Sequence, residues 1–258
     1  VIAVISVATT REHRVFSTDD LRVMQTLASE ATIAIERTRS TLALAEALDR
    51  ERLVMSIGRR LRNELDLGAA LQAAVEEAGR ALGATRCFLR LERGVELTID
   101  AQWTTDGVER VGSMPDALPV TNLAAREDRT VAVADIEIAD ELMEPSLGGL
   151  ERPRELGARA IAATPVRADG PQLGVLTVHR DRPGAWTQGE LALLESVAIE
   201  VALALRLGRL IDENRERLGE RSALLRAAEV VSGELELGAV LQRLVDEVAA
   251  LLQADASD

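Results

Sequence analysis

The sequence predicts an α+β fold in which a mainly antiparallel sheet is flanked by helices and joined by long coiled-coil-like linker helices. Three observations predict it. Short apolar or alternating runs, separated by Gly-containing turns, recur between residues 87 and 184. Amphipathic helical patterns bracket those runs. Two stretches, 19–62 and 188–232, hold no Pro and few Gly over more than forty residues each.

Taken in chain order, VIAVISV at residues 1–7 has strand-like composition, and Phe16 with a polar cap then precedes the first long helical stretch. In 66–82, Leu67, Leu71, Ala74, Val75, Ala78 and Leu82 share one helical stripe, with Asp66 as N-cap and Gly83 as the terminating glycine. CFLRLE (87–92) and VELTIDAQW (95–103) flank Arg93-Gly94 as a hairpin. In the second of these strands, Val95, Leu97, Ile99 and Ala101 alternate with polar residues, which predicts one buried and one wet face. A short helix is expected at 121–128 with Thr121 as its cap, then a strand at 130–136 and an irregular segment at 137–157. Residues 158–170 and 171–184 read as a hairpin turning at Asp169-Gly170. Thr187 and Glu190 form a capping box ahead of Leu191 and the last long helix.

A repeat organises these elements. NELDLGAALQ (63–72) returns as GELELGAVLQ at 233–242, 170 positions later. Separately, residues 4–39 match 175–209: Phe16 corresponds to Trp186, Leu21 to Leu191 and Glu30 to Glu200, again 170 apart. Chance likeness of Ala/Leu-rich helices does not explain one offset shared by two separate blocks. The period suits tandem domains rather than a solenoid. It gives five parts: the end of one unit at 1–36, a helical linker at 37–65, a complete unit at 66–206, a second linker at 207–233, and the start of a further unit at 234–258. Val1 in place of Met agrees with a piece of a longer chain.

Composition narrows the function. Aromatics make up 2% of the 258 residues, so the core is built from Ala, Leu, Val and Ile. The net charge of −13 argues against nucleic acid, which needs a concentrated basic face. No apolar run approaches a membrane span and no signal peptide precedes one, so no membrane insertion and a cytoplasmic setting are expected. A single cysteine, Cys87, gives neither an internal disulfide nor a Cys-rich metal site.

The stretch RAIAATPVRADGPQLGVLTVHRDRPGAWTQGELALLESVAIEVALAL resembles the C-terminal half of a GAF domain: Pro on the penultimate strand, a Gly-Val-Leu strand, then an aromatic before the cap of a long helix. ELDLGAALQAAVEEAGRALGATRCFLRL resembles the N-terminal half. The resemblance spans 66–206 and implies a GAF/PAS-like antiparallel sheet. It also implies a sensory or regulatory module of a signal-transduction protein, bacterial and two-component-like. The catalytic output (histidine kinase, diguanylate cyclase or phosphatase) would lie outside this chain. The chain itself is expected to be non-enzymatic, since no Ser/His/Asp set, P-loop or HExxH is present.

The ligand is left open. Phytochrome-type members hold a bilin on a cysteine, but Cys87 lies in a core-like strand and reads as a buried structural thiol. Cyclic-nucleotide members carry an Asn-Lys-Phe-Asp-Glu set, and this chain has no Lys. Haem or iron calls for histidines; His13 sits in a polar turn and His179 at a strand end, which reads as structural. The resemblance places a small-molecule pocket between the sheet and the segment after the third strand. The candidates there are Asp135, Leu142, Met143 and Leu150, with Ala162 and Thr164 on the facing strand and Trp103 at the end of the second. The same residues also suit simple core packing.

The linkers share a heptad register. Ile211, Asn214, Leu218, Arg221, Leu225 and Ala228 correspond to Thr41, Leu44, Leu48, Glu51, Met55 and Gly58. A homodimer seam is expected on Leu44, Leu48, Met55, Ile211, Asn214, Leu218 and Leu225, with Asn214 fixing register. The alternative to a sensor is an unliganded scaffold serving dimerisation or spacing.

Overall fold

The protein is described from a computed structural model. It covers residues 4–8, 15–64, 66–93, 96–112, 116–167 and 169–233, with 238, 241, 242 and 245 beyond. Two units are distinguished, Val1–Ala204 and Leu205–Asp258. The first begins with α1 (Thr18–Asn63), followed by α2 (Leu67–Ala81), β1 (Arg86–Arg93), β2 (Glu96–Thr104), α3 (Pro119–Glu127) and β3 (Val131–Val133). Three 3-10 turns, Ile136–Ile138, Asp140–Leu142 and Pro145–Leu147, lead to α4 (Glu151–Glu155), β4 (Ala160–Val166), β5 (Gly174–Arg180) and α5 (Gln188–Gly233).

The five strands form one antiparallel sheet in the order β2-β1-β5-β4-β3. One surface of it, the helix face, carries Cys87, Leu89, Leu176, Val178, Ala162 and Thr164. There α2 packs against β1 and β2, and Glu195 of α5 reaches Thr130 beside Thr164. The other surface, the loop face, carries Phe88, Val131, Val133, Ile161, Ala163 and Val175, covered by α3, α4 and the turns through Val120, Leu123, Leu142, Leu147 and Leu150.

Local chemistry sets the element ends. Asp66 caps α2, its carboxylate accepting from Gly68 N and Ala69 N, and Gly83 follows with φ +57°. The expected capping box at α5 is formed: Thr187 N donates to Glu190 Oε2 at 2.8 Å, and Glu190 N donates to Thr187 Oγ1 at 3.2 Å. Ser17 and Asp20 make the matching box at α1. Both long helices hold 46 residues, and their bounds differ by 170 at each end.

Three local expectations are corrected. A β-bulge between Leu89 and Arg90 flips the phase of β2: Ala101 pairs with Leu89 on the helix face, while Ile99 pairs with Arg90 and packs on the loop face. The single buried face expected for β2 is therefore split. Second, α3 starts two residues before Thr121, with Pro119 in its first turn presetting φ, so Thr121 is not the cap; it lies buried inside the helix. Third, the strand expected at 130–136 shortens to Val131–Val133, because Asp135 caps the first 3-10 turn and diverts the chain. Residues 4–8 pair with no strand among the described residues, and Val4, Ile5 and Val7 are exposed. Most of GELELGAVLQ, like His13, Gly94 and Val95, lies outside the described residues.

The last turns of α1 run beside the first turns of α5 in the same direction. Arg50 lies at Gly189, and twelve residues on Arg62 binds Glu200 at 2.8 Å. Ile57 and Leu61 of α1 are buried, and so are Leu194, Val197, Ala198, Val201 and Ala202 of α5. In the second unit, Ile211, Leu218 and Leu225 are exposed along α5. No described helix is long and apolar enough to cross a membrane.

Candidate functional site

The residues singled out for a pocket do not meet in one place. Leu142 and Leu150 are buried on the loop face within the core cluster of Val120, Leu123, Val131 and Ile161. Met143 is 69% exposed and points away from it. Asp135 binds Arg159 through both carboxylate oxygens, at 3.0 and 2.7 Å, and caps Glu137 N. The Arg159 hydrogen bonds, then the Glu137 amide, hold its carboxyl below the usual range.

Ala162, Thr164 and Trp103 sit on the opposite surface of the sheet. Ala162 pairs with Val178 and Thr164 with Leu176, and Trp103 pairs with Cys87. The expectation that Ala162 and Thr164 face the segment after β3 is thus corrected: successive strand residues alternate sides, and Ile161 and Ala163 hold the loop side. Trp103 lies against Gly79 of α2 and lines an open cleft of about 590 Å³ with Arg80, Thr85, Thr105 and Arg182.

What the fold assembles on the loop face is a buried polar layer. Arg86 and Arg90 both point into it from β1, flanking Phe88, and both are 1% exposed. Arg86 Nε and Nη2 donate to Glu109 O at 3.0 and 2.6 Å, and Nη2 also donates to Leu156 O at 3.2 Å. Its Nη1 meets His179 Nδ1 at 3.1 Å. Arg90 donates to Asn122 Oδ1, and Asn122 Nδ2 donates to Asp116 O and Leu147 O. Thr121 of α3 and Thr177 of β5 share a hydrogen bond of 3.0 Å. The bonds of Arg86 to Glu109 and Leu156, of Arg90 to Asn122, and of Thr121 to Thr177 tie covering segments to the sheet.

Burial dominates the electrostatics. Desolvation lowers Arg86 to about 10, partly offset by Glu109. His179 is held well below its ordinary value by burial first and by Arg86 second, so the ring is neutral. Since an arginine only donates, Nδ1 is the acceptor and Nε2 carries the proton. The His179 ring stands edge-on to Phe88 with centroids 5.3 Å apart.

The next residue, Arg180, works on the other side of the strand end. Its guanidinium lies 3.9 Å from the Trp186 ring centroid, Nη2 donates to Leu82 O at 2.7 Å, and it pairs with Glu190 in the first turn of α5. Trp186 Nε1 donates to Val133 O at 3.3 Å. One residue thus fastens the end of α2, the start of α5 and the aromatic between β5 and α5.

None of Arg86, Arg90, Asn122 or Arg180 was a candidate from sequence. The signal that existed was arginine at both ends of RCFLR, a strand stretch apolar on both faces; charged residues in such a strand are buried only when hydrogen-bonded. Cys87 is fully buried on the helix face, and burial pushes its thiol up, away from the thiolate that chemistry would need. No group of three or more metal-ligating side chains occurs among the described residues.

Comparison with known proteins now places this architecture. The GAF domain model matches residues 66–205. The chain is similar to the GAF domain of a phosphoenolpyruvate-protein phosphotransferase from Coxiella burnetii, at 18% identity and TM-score 0.52, covering 65% of this chain and 98% of that one. It is similar to a bacteriophytochrome from the photosynthetic bacterium R. palustris at 18% identity and TM-score 0.56, covering 79% of this chain and 46% of that one. A phycoerythrobilin-bound GAF domain from a cyanobacterial phytochrome matches at 15% identity and TM-score 0.52, covering 63% of this chain and 97% of that one. At these identities the likeness is one of fold. No curated protein matches the chain.

Proposed function

The chain belongs to the GAF domain family, and from that premise we propose that it is the sensory or regulatory module of a signal-transduction protein. In this reading a small molecule in the loop-face layer biases the long helices, and they bias an output domain elsewhere. One observation carries it: the end of β5 turns His179 into the buried layer and Arg180 onto the first turn of α5. A shift of the strand end is therefore felt on both sides. A ligand moves such an equilibrium only by binding one arrangement better than the other.

The exposed apolar residues Leu44, Leu48 and Met55 of α1, and Ile211, Leu218 and Leu225 of α5, support a parallel homodimer as the form that transmits. The 170-residue repeat supports a tandem arrangement of such domains in a cytoplasmic protein. Catalysis is assigned to the output domain. The scaffold reading is favoured by a different observation, that Leu142, Leu147 and Leu150 pack the segment after β3 into the core.

Native mass spectrometry of the full chain, purified from cells and compared before and after stripping of bound molecules, separates the two. A small-molecule adduct whose removal raises hydrogen exchange across 188–204 is the sensory outcome. A mass equal to the bare chain, with α5 exchange unchanged by stripping, is the scaffold outcome.

A further inference from the structure

We propose that the cleft beside Trp103 binds a small planar aromatic carboxylate, its ring stacked on the indole and its charge met by Arg182. The cleft lies across the sheet from the loop-face layer, and the proposal does not depend on the sensory reading of that layer.

The chain has two tryptophans, and they differ in what surrounds them. Trp186 is satisfied at its ring and at its N–H: the Arg180 guanidinium lies 3.9 Å from its centroid, and Nε1 donates to Val133 O at 3.3 Å. Trp103 has neither contact. The Arg80 guanidinium stands 6.0 Å from its centroid, at the outer limit of about 6 Å for a cation–π contact, and is engaged by Glu76 at 2.6 Å. Trp103 Nε1 has no hydrogen-bond partner among the described residues. Packing accounts for one edge of the ring, where Cε3 and Cζ3 close onto Gly79. Nε1 belongs to the opposite edge of the indole. A half-buried indole with one edge packed and a free N–H on the other is what binding surfaces favour.

The cleft supplies room and charge. Its volume of about 590 Å³ falls within the range of about 300–1,000 Å³ usual for small-molecule sites. Most of its polar lining is already spent. Thr85 Oγ1 donates to His179 O at 3.2 Å, and Thr105 Oγ1 donates to Thr85 O at 3.4 Å. The amides of Gly83, Ala84, Thr85 and Thr105 all donate to backbone carbonyls. Arg182 is not spent: it lines the cleft and forms no hydrogen bond or ion pair among the described residues. The donors left for a ligand are therefore Trp103 Nε1 and the Arg182 guanidinium.

These donors define the ligand. Asp181 also lines the cleft and Glu76 engages Arg80, so the site suits one negative charge rather than the −1.5 to −2, roughly, of a phosphate group. A carboxylate is planar, singly charged and matched to the guanidinium fork. The indole asks for a flat partner, because offset stacking adds to the area buried.

The test reads Trp103 directly. In the nitrogen-15-labelled full chain the two indole N–H groups give two proton–nitrogen signals, which Trp186→Phe identifies. The chain is titrated at constant ionic strength with sodium benzoate and sodium 2-naphthoate. Cyclohexanecarboxylate keeps the charge without the aromatic ring, and benzamide keeps the ring without the charge. The expected result is a saturable shift of the Trp103 signal with at least one aromatic acid, at concentrations about fivefold or more below those at which either control acts. Arg182→Ala is expected to weaken that binding about fivefold or more, between the weight of an exposed ion pair and that of a charge-assisted hydrogen bond. Arg217→Ala is expected to leave it unchanged. Both arginines are exposed, so neither change removes a core contact.

No saturable shift with either aromatic acid overturns the proposal. Equal binding of cyclohexanecarboxylate overturns the stacking, and equal binding of benzamide overturns the role of charge; either result removes the ligand class. A shift that Arg182→Ala leaves intact also overturns it, and marks adventitious contact with the indole only.

Discussion

Protonating His179 would set an imidazolium against the Arg86 guanidinium inside the loop face, and this gives a single residue a measurable effect on the whole domain. Its folded pKa lies well below the ordinary value because of burial first and Arg86 second. In the unfolded chain it returns to about 6.5. Above that pH both states are neutral and the fold has its full stability. As pH falls below it, the unfolded chain takes up a proton that the folded state refuses, and stability drops until the folded pKa is reached. The urea midpoint of the wild type is therefore expected to fall between pH 7 and 5, and that of His179→Gln to fall less. An equal fall in both would remove His179 as the cause. The carboxylates of Asp135, Glu137, Glu144 and Glu190 are held low by their partners, so their loss belongs to more acidic pH and does not blur this window. Sequence alternation located His179 at a strand end, but it could not show which residues would be brought against it.

Among the elements, α2 and α5 differ in what a glycine does. At Gly79 the Trp103 ring closes onto the helix, and an added Cβ would clash with Trp103 Cε3 and stand 2.9 Å from Cys87 Cβ. Gly79→Ala gains helix propensity of about 1 kcal/mol. It also overpacks a joint between helix and sheet, at a cost of about 1–3 kcal/mol. The expected outcome is net destabilisation. At Gly219, on the exposed run of α5, nothing lies within 4 Å of an added Cβ. Gly219→Ala should raise stability of that helix by about 0.5–1 kcal/mol. Opposite signs in thermal melts of the two variants would confirm that contact, not propensity, decides at Gly79. The helices themselves were legible, because their caps are local: Asp66, the Ser17 box and the Thr187 box are all encoded within four residues. The start of α3 was not, since Pro119 outranked the better-looking cap at Thr121.

For the whole molecule, the homodimer is the claim most open to refutation. Light scattering on the full chain should give twice 27.8 kDa, and Leu48→Glu with Leu218→Glu should return it toward the monomer mass. A monomer in the unmodified chain at high concentration would end that proposal. The 170-residue repeat, the α+β class and nearly every element could be read from the sequence, because they rest on periodicity and on caps and turns within a few residues of one another. The site could not. A one-residue bulge in β2 exchanges the two sides of that strand, and alternation in β4 sends Ala162 and Thr164 to the helix face while Ile161 and Ala163 take the loop face. Which face a strand turns to which layer depends on partners far away in sequence. Arg86 meets Glu109, Leu156 and His179 across 23, 70 and 93 residues, and only the closed sheet brings those groups within hydrogen-bonding distance.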